Sequence, residues 1–489
     1  MRDTSGSSQL YYSAVGGRVV FSTDVKTVAG AHWIPQTLDD LWIAKHLIDW
    51  YEDVDESTVY RHIRKVPPAH IVTARADGVT VARYWSTEGI APVIFKDDRD
   101  YARLLRDGLA AAVRVRIRSG FPVGTLLSAG LDSSAVTVMA ARECGSAGRG
   151  IVSFTHVPES DLPEPFDEGR AASDLAATLP NVHHLLVRPG AWTPVKAIRR
   201  SLELFGVPGL VNSNSPFLFS TIEAARGLGI RTLMTGQAGN RTMDWVKADD
   251  PRVSLLDLAR LGRLKNVARR LIRPFSAYRP ADLVTLGASW EGAPINPQFA
   301  ESLGLRRRLV EAGWSPHVML GPRRGGDAVL KFVAGKVGGM YAQIRLHEAV
   351  GSVDPYTAKP LVELAASVPP GVWLRHPDRG LFREAMKDVL PESTRLRRWR
   401  GIQSADFAAR LAAHPTELSE ALVEIERSPL ATHYMNAGWC RTLAQAVVAG
   451  RGSPKAGFSR LMSAMGMGLF LASLDGKGWS PEGLRERYD

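Results

Sequence analysis

The 489-residue sequence predicts an α/β fold: a parallel sheet with helices on both faces, a helical carboxyl-terminal part, and a truncated β-rich unit in front. Three observations carry this. Between residues 100 and 235, apolar runs of strand length alternate with amphipathic runs of helix length, the rhythm of strands joined by helical crossovers. One strand leads directly into Ser128-Ala129-Gly130-Leu131-Asp132-Ser133-Ser134, which opens a helix. Before residue 87 the pattern is short alternating strands around Gly-containing turns.

The elements follow in order. Residues 10–13 and 18–22 read as a hairpin around Gly16-Gly17, and Thr37 as the cap of a helix over 38–50. Residues 70–74 and 79–84 form a second hairpin around Asp77-Gly78, and 87–99 a linker. Strands are expected at 123–127, 151–156, 182–187 and 231–235, with helices at 100–118, 134–142, 167–179, 195–205 and 216–228. Such sheets bind ligands beyond the carboxyl ends of their strands. From Asp249 onward the pattern is helical, beginning with a strongly basic stretch over 252–273. The domain reading is 1–90 for the β-rich unit, 100–475 for the α/β and helical part, and 476–489 for a tail.

Composition narrows the classes. Hydrophobic residues at 45% and charged residues at 23% suit a well-cored globular chain. The two cysteines, Cys144 and Cys440, have no CxxC or Cys/His company, which argues against zinc or a disulfide framework and for a reducing, cytoplasmic setting. Cys144 reads as structural. Residues 1–10 lack an apolar signal core, and the longest apolar run, 461–474, is too short to span a bilayer. The formal charge of +11 suits acidic partners, ATP among them, or an Arg-rich surface. No RNA-binding module accompanies it, so nucleic acid is not expected as a partner.

The chemistry concentrates in the 128–134 run. Small residues let backbone wrap a phosphate, and the helix start adds unpaired N–H groups and a positive dipole end. The hydroxyls of Ser128, Ser133 and Ser134 can donate to phosphate oxygens, and Asp132, itself anionic, would face them across a Mg²⁺ ion. The Lys of a Walker A loop is missing.

This run resembles the SGGxDSS loop of the PP-loop ATP pyrophosphatases, with Ala129 in place of the first Gly. The resemblance implies ATP and Mg²⁺ as cofactors, held by Leu127, Ser128, Ala129, Gly130, Leu131, Asp132, Ser133 and Ser134, with Phe154 in the next strand. Thr235-Gly236-Gln237-Ala238-Gly239-Asn240 follows a strand as SGEGSDE does in asparagine synthetases. It implies Thr235, Gly236 and Gly239 at the nucleotide, Gln237 in catalysis, and Asn240 as a second, neutral metal ligand beside Asp132. The form GQxGNxTxxW, Gly236 to Trp245, is similar to that of lasso-peptide cyclases. Downstream, His347-Glu348 through Asp354-Pro355-Tyr356 resembles the E-x-R-x-P-F/D-P region, making Glu348 the carboxylate that orients the catalytic base. Arg397-Arg398-Trp399-Arg400-Gly401 resembles R-x-x-K-G, with Arg400 taking the charge-stabilising role.

The amino-terminal part, Tyr11 through Phe21 to Lys26, Val66 to His70 and Tyr84-Trp85, resembles the later half of a glutamine amidotransferase domain. The family's nucleophilic cysteine is missing before Cys144, so glutamine hydrolysis is not expected. Either the domain is shortened or the start has been placed too far downstream.

The resemblance therefore implies an AMP-forming ligase that adenylates a carboxylate and couples it to an intramolecular amine, as in macrolactam formation on a core peptide. A leader-binding protein and a leader peptidase would be its partners. An ammonia-dependent asparagine synthetase, a beta-lactam-forming enzyme, an RNA-modifying PP-loop enzyme and a catalytically inactive scaffold stay open as alternatives.

Overall fold

The computed structural model describes residues 1–48, 56–118, 120–208, 213–246, 253–260, 292–311, 338–399, 401–402, 404–451 and 454–482, with single positions between 262 and 268. The amino-terminal unit begins with β1 (Tyr11–Val15) and β2 (Arg18–Ser22), antiparallel from Tyr11↔Ser22 to Val15↔Arg18. Gly16 and Gly17 both have positive φ, +58° and +72°, which a two-residue turn matching the strand twist requires. β3 (Thr37–Leu38) comes next, and β4 (Arg64–Lys65) joins the other edge of β1. β5 (His70–Arg75) and β6 (Gly78–Arg83) make the second hairpin. Thr37 does not cap the following helix, Asp40–Ile48: it lies in β3, and the Asp39 carboxylate accepts the Trp42 N–H at 2.8 Å instead.

The central sheet contains β7 (Val123–Leu126), β8 (Ile151–His156), β9 (Val182–Val187), β10 (Thr232–Met234) and β11 (Gly351–Val353). Their order is β11-β10-β7-β8-β9, and every pair is parallel. Alternating side chains feed two cores. Val123, Ile151 and Met234 pack with the helices Asp98–Arg116 and Leu131–Ser146 on one face. Phe154, Val187 and Leu233 pack with Pro194–Phe205, Ser215–Gly227 and Gly338–Glu348 on the other.

The chain runs outward from β7 to β8 and β9, then returns to place β10 on the opposite side of β7. That reversal opens a crevice between the carboxyl ends of β7 and β10, the usual ligand position in open parallel sheets. β11 falls in the stretch read from sequence as helical throughout. Three residues are too few to show alternation, and β11 exists because it pairs with β10 through Thr232↔Gly351 to Met234↔Val353.

The carboxyl-terminal helices do not form a body apart from the amino-terminal unit. Ile43, Leu38 and Tyr60 share one core with Phe407, Ile425 and Leu471. β12 (Ser480–Pro481) pairs in parallel with β3, and the Trp479 ring lies 4.6 Å from that of Tyr60. The segment expected as a tail thus starts as a strand of the amino-terminal unit. Cys144 and Cys440 are both buried. The helix Pro454–Leu474 holds the apolar run, and no described helix is long and apolar enough to cross a membrane. Of the basic 252–273 stretch, residues 253–260 and single positions up to 268 are described, with Leu255–Arg260 helical; the rest lies outside the described residues.

Candidate nucleotide site

β7 delivers the Ser-rich run to the crevice. The Leu127 N–H donates to the Phe154 carbonyl at 2.8 Å, and the Thr155 hydroxyl donates to the Leu127 carbonyl, so the loop leaves the sheet from a fixed point. Ala129 then takes φ +50°, the left-handed region, and turns the chain back. Gly130 stands at the start of the helix Leu131–Ser146 with no side-chain cap. The N–H groups of the first helical turn therefore keep their capacity for an anion. Ser128 and Ser133 hydroxyls pair with each other at 2.9 Å, the Ser128 N–H donates to Ser133 Oγ at 3.0 Å, and the Ser134 hydroxyl is buried without a partner.

The second loop, 235–242, leaves the carboxyl end of β10 and lies directly on the first. A Cβ on Gly236 would sit 2.7 Å from the Ser133 nitrogen, and one on Gly239 would collide with the Asp132 carboxylate. Both glycines are thus demanded by close approach. Asp354, just past β11, fixes this loop. Its carboxylate accepts from Ala238 N–H at 2.7 Å and Tyr356 N–H at 3.0 Å, and burial pushes its pKa up to about 7. The Tyr356 hydroxyl donates to the Asp132 carbonyl at 3.1 Å, and that of Tyr341 to Thr235 Oγ1 at 3.4 Å.

Sequence reasoning did not single out Arg379, which dominates the electrostatics here. Its guanidinium forks onto both oxygens of Asp132, one at 2.7 Å, and its Nη2 also reaches the Gly239 carbonyl at 3.3 Å. Asp378 and Arg379 both have positive φ, +52° and +65°, a turn that the Pro-Asp-Arg-Gly run announces. Further guanidinium groups gather nearby. Arg397 donates to the Ala129 carbonyl at 3.0 Å and stacks over Trp399 at 4.7 Å. Arg383 donates to the Arg395 and Arg397 carbonyls; burial, then the charges of Arg379 and Arg398, lower its pKa. Mutually repelling cations at a helix start favour a polyanion between them.

These donors do not fit a protein-bound Mg²⁺, which takes oxygens in near-octahedral geometry, usually from one or two carboxylates. Both Asp132 oxygens face Arg379, Asn240 is exposed and neutral, and Asp354 spends its oxygens on amide N–H groups. Among the described residues no cluster of three or more His, Cys, Asp or Glu is placed to hold a metal. The positive charge beside Asp132 comes from Arg379.

The other expected residues separate. Thr235 is buried, and Gln237 is exposed on the second loop. Phe154 contributes its backbone carbonyl to the loop while its ring is buried in the core. Arg400 lies outside the described residues. Glu348 is not brought to the crevice. The helix carrying it reaches the crevice end at Tyr341, and Glu348 is seven residues further along, roughly 10 Å at 1.5 Å per residue. There it is buried between Arg200 and Arg226, the latter at 2.7 Å. A second feature also escaped the sequence. A cleft of about 730 Å³ opens past the ends of β8 and β9, with Asp161, Glu164, Asp167, Arg170 and Arg188 among its walls.

A parallel sheet with a Ser-rich, helix-opening loop at its reversal point, and arginines bonded to that loop, places the chain among the open-sheet α/β proteins. More narrowly, residues 104–286 and 350–469 match the asparagine synthase family model, and the chain belongs to that family. Residues 1–85 match a glutamine amidotransferase domain. Among its relatives is "Asparagine synthetase [glutamine-hydrolyzing] 1" of Bacillus subtilis, 30% identical over 28% of this chain and 22% of that protein. "Asparagine synthetase [glutamine-hydrolyzing] 3" of the same organism is 22% identical over 52% and 44%. "Amidase chry2" of Gibberella zeae is 26% identical over 49% and 36%. Each of these alignments spans less than half the length of the relative.

Proposed function

We propose that the chain is an ATP-dependent carbon–nitrogen ligase. A substrate carboxylate attacks the α-phosphate of ATP, pyrophosphate leaves, and an amine then displaces AMP from the acyl-adenylate to give an amide. The observation that carries this reading is the meeting of the 128–134 and 235–242 loops at Asp132, at the reversal point of a family-matched sheet. The helix-start N–H groups receive the pyrophosphate moiety, and Arg379, Arg383 and Arg397 offset the charge that grows on it as it departs. Binding both reactants in one crevice replaces a bimolecular encounter with a positioned one.

The amine comes from the substrate itself, and the product is a macrolactam on a core peptide. One observation supports this finer reading: the Gly236–Trp245 run keeps the GQxGNxTxxW form. A leader-binding protein and a leader peptidase would then supply the leader-free peptide. Incubation with ATP, a magnesium salt and a leader-free core peptide should yield AMP and a product lighter by one water. A second reading, ammonia-dependent asparagine synthesis, draws on the names of the relatives. AMP formed with free aspartate and ammonia, but with no peptide, would replace the first reading with the second.

A further inference from the structure

The donors at the meeting of the two loops do not suit a protein-held Mg²⁺, and Asp132 therefore needs another role. Its surroundings supply one. Both carboxylate oxygens accept from the Arg379 guanidinium, which also donates to the Gly239 carbonyl at 3.3 Å. On its flank the carboxylate lies against Gly239 so closely that a Cβ there would overlap it. A bound Mg²⁺ usually keeps several waters, and that flank leaves no room for them. Asn240, the second ligand expected from the sequence, is exposed.

Arg379 is held as firmly as it holds. It and Asp378 take φ +65° and +52°, backbone that a non-glycine residue keeps only where its surroundings over-determine it. The guanidinium lies over the Phe382 ring at 5.2 Å, and the side chain is 11% exposed. Burial pulls its pKa down, but Asp132, with Asp244 adding to it, outweighs that and keeps the charge in place. Its Nε is buried without an acceptor, a donor left over once Asp132 and Gly239 are served. For a metal ion to take Asp132, Arg379 would have to release both oxygens and then remain, buried and unpaired, beside a dication. In a poorly solvated site that exchange is strongly opposed.

We propose that Arg379 stands where a metal ion would in this site: Asp132 is a positioning residue that fixes the Arg379 guanidinium against the departing pyrophosphate, and divalent cation reaches the crevice only on the phosphates of the nucleotide. This rests on the ligase reading and deepens it. The fixed charge beside the loop is part of the chain, so chelation does not remove it. Asp132 and Arg379 then act as one unit, and losing either loses the same function.

The test uses the full chain with α,β-methylene ATP, in Mn²⁺ and in EDTA, and counts bound Mn²⁺ by electron paramagnetic resonance. Wild type should bind one Mn²⁺ per bound nucleotide. The factor by which Mn²⁺ tightens nucleotide binding should be the same in Asp132→Asn as in wild type, to within about twofold. Each of Asp132→Asn and Arg379→Gln should slow ATP–pyrophosphate exchange by roughly 10-fold or more, and the double variant should be no slower than the worse single one. A second Mn²⁺ in the wild-type complex, a smaller tightening by Mn²⁺ in Asp132→Asn, or multiplying losses in the double variant would overturn the proposal. The wild-type count decides even if a variant fails to fold. No nucleotide binding by wild type would sink the ligase reading itself, whereas nucleotide bound with a second Mn²⁺ would sink only the role of Arg379.

Discussion

Ala129 carries a methyl group at φ +50°, a conformation that costs a non-glycine residue roughly 1–2 kcal/mol. The turn is imposed from both sides, by Leu127 on the sheet and by Arg397 on the Ala129 carbonyl. Ala129→Gly should relieve that strain, part of the gain being lost to the freer unfolded chain. A net stabilisation of about 0.5–1 kcal/mol is expected in urea unfolding; a loss of stability would show that the methyl group is packed rather than strained. The Asp132–Arg379 pair is the other decisive contact. The two side chains are only 18% and 11% exposed, and removing one partner of such a pair costs up to about 3–5 kcal/mol by stranding the other. Arg379→Ala and Asp132→Asn should each destabilise clearly, and the double variant should cost less than their sum by about 1 kcal/mol or more. Strict additivity would mean that the pair is not coupled.

At the scale of elements, the site is two loops clamped by a third. Asp354 holds the second loop through Ala238 and the following turn through Tyr356. Its pKa, raised from 3.8 to about 7 by burial, has a definite thermodynamic sign. The folded protein binds the proton more tightly than the unfolded chain, so stability falls as pH rises from about 4 to about 7. His156 acts oppositely: burial lowers its pKa to about 4, and its contribution is lost as pH falls from 6.5 through that value. Comparing wild type with Asp354→Asn isolates the first effect. The difference in urea midpoint between the two should shift in favour of the variant on going from pH 5 to pH 8, and a pH-independent difference would contradict the buried acid.

These elements also mark how far the sequence could be read. The strands at 151–156 and 182–187 stand as their apolar runs indicated, and the Ser-rich loop was visible because a phosphate-binding turn is local: strand, small residues and helix start lie in consecutive positions. β11 was hidden because three residues carry no period and exist only through pairing. Arg379 was hidden for a different reason. It meets its partner, Asp132, across a long stretch of chain, and nothing in its neighbours along the sequence announces that contact. Glu348 illustrates the converse, since a motif names a residue without fixing which end of its helix faces the ligand.

Over the whole molecule, the fold explains why the pieces act together. Helices near the carboxyl terminus share a core with the amino-terminal unit, and β12 returns to pair with β3. The amino-terminal unit is therefore packed into the molecule whether or not it performs chemistry. The central sheet supplies a rigid edge, its reversal point supplies the crevice, and the arginines around it supply the field. The central claim is that the 128–134 loop receives the phosphates of ATP. Its most direct test is a crystal structure of the full chain with a non-hydrolysable α,β-methylene ATP analogue. The account predicts the terminal phosphates on the backbone N–H groups at the start of the helix Leu131–Ser146, within reach of Arg379 or Arg397. Nucleotide bound elsewhere, with that loop unchanged and Ser128 still paired to Ser133, would contradict it.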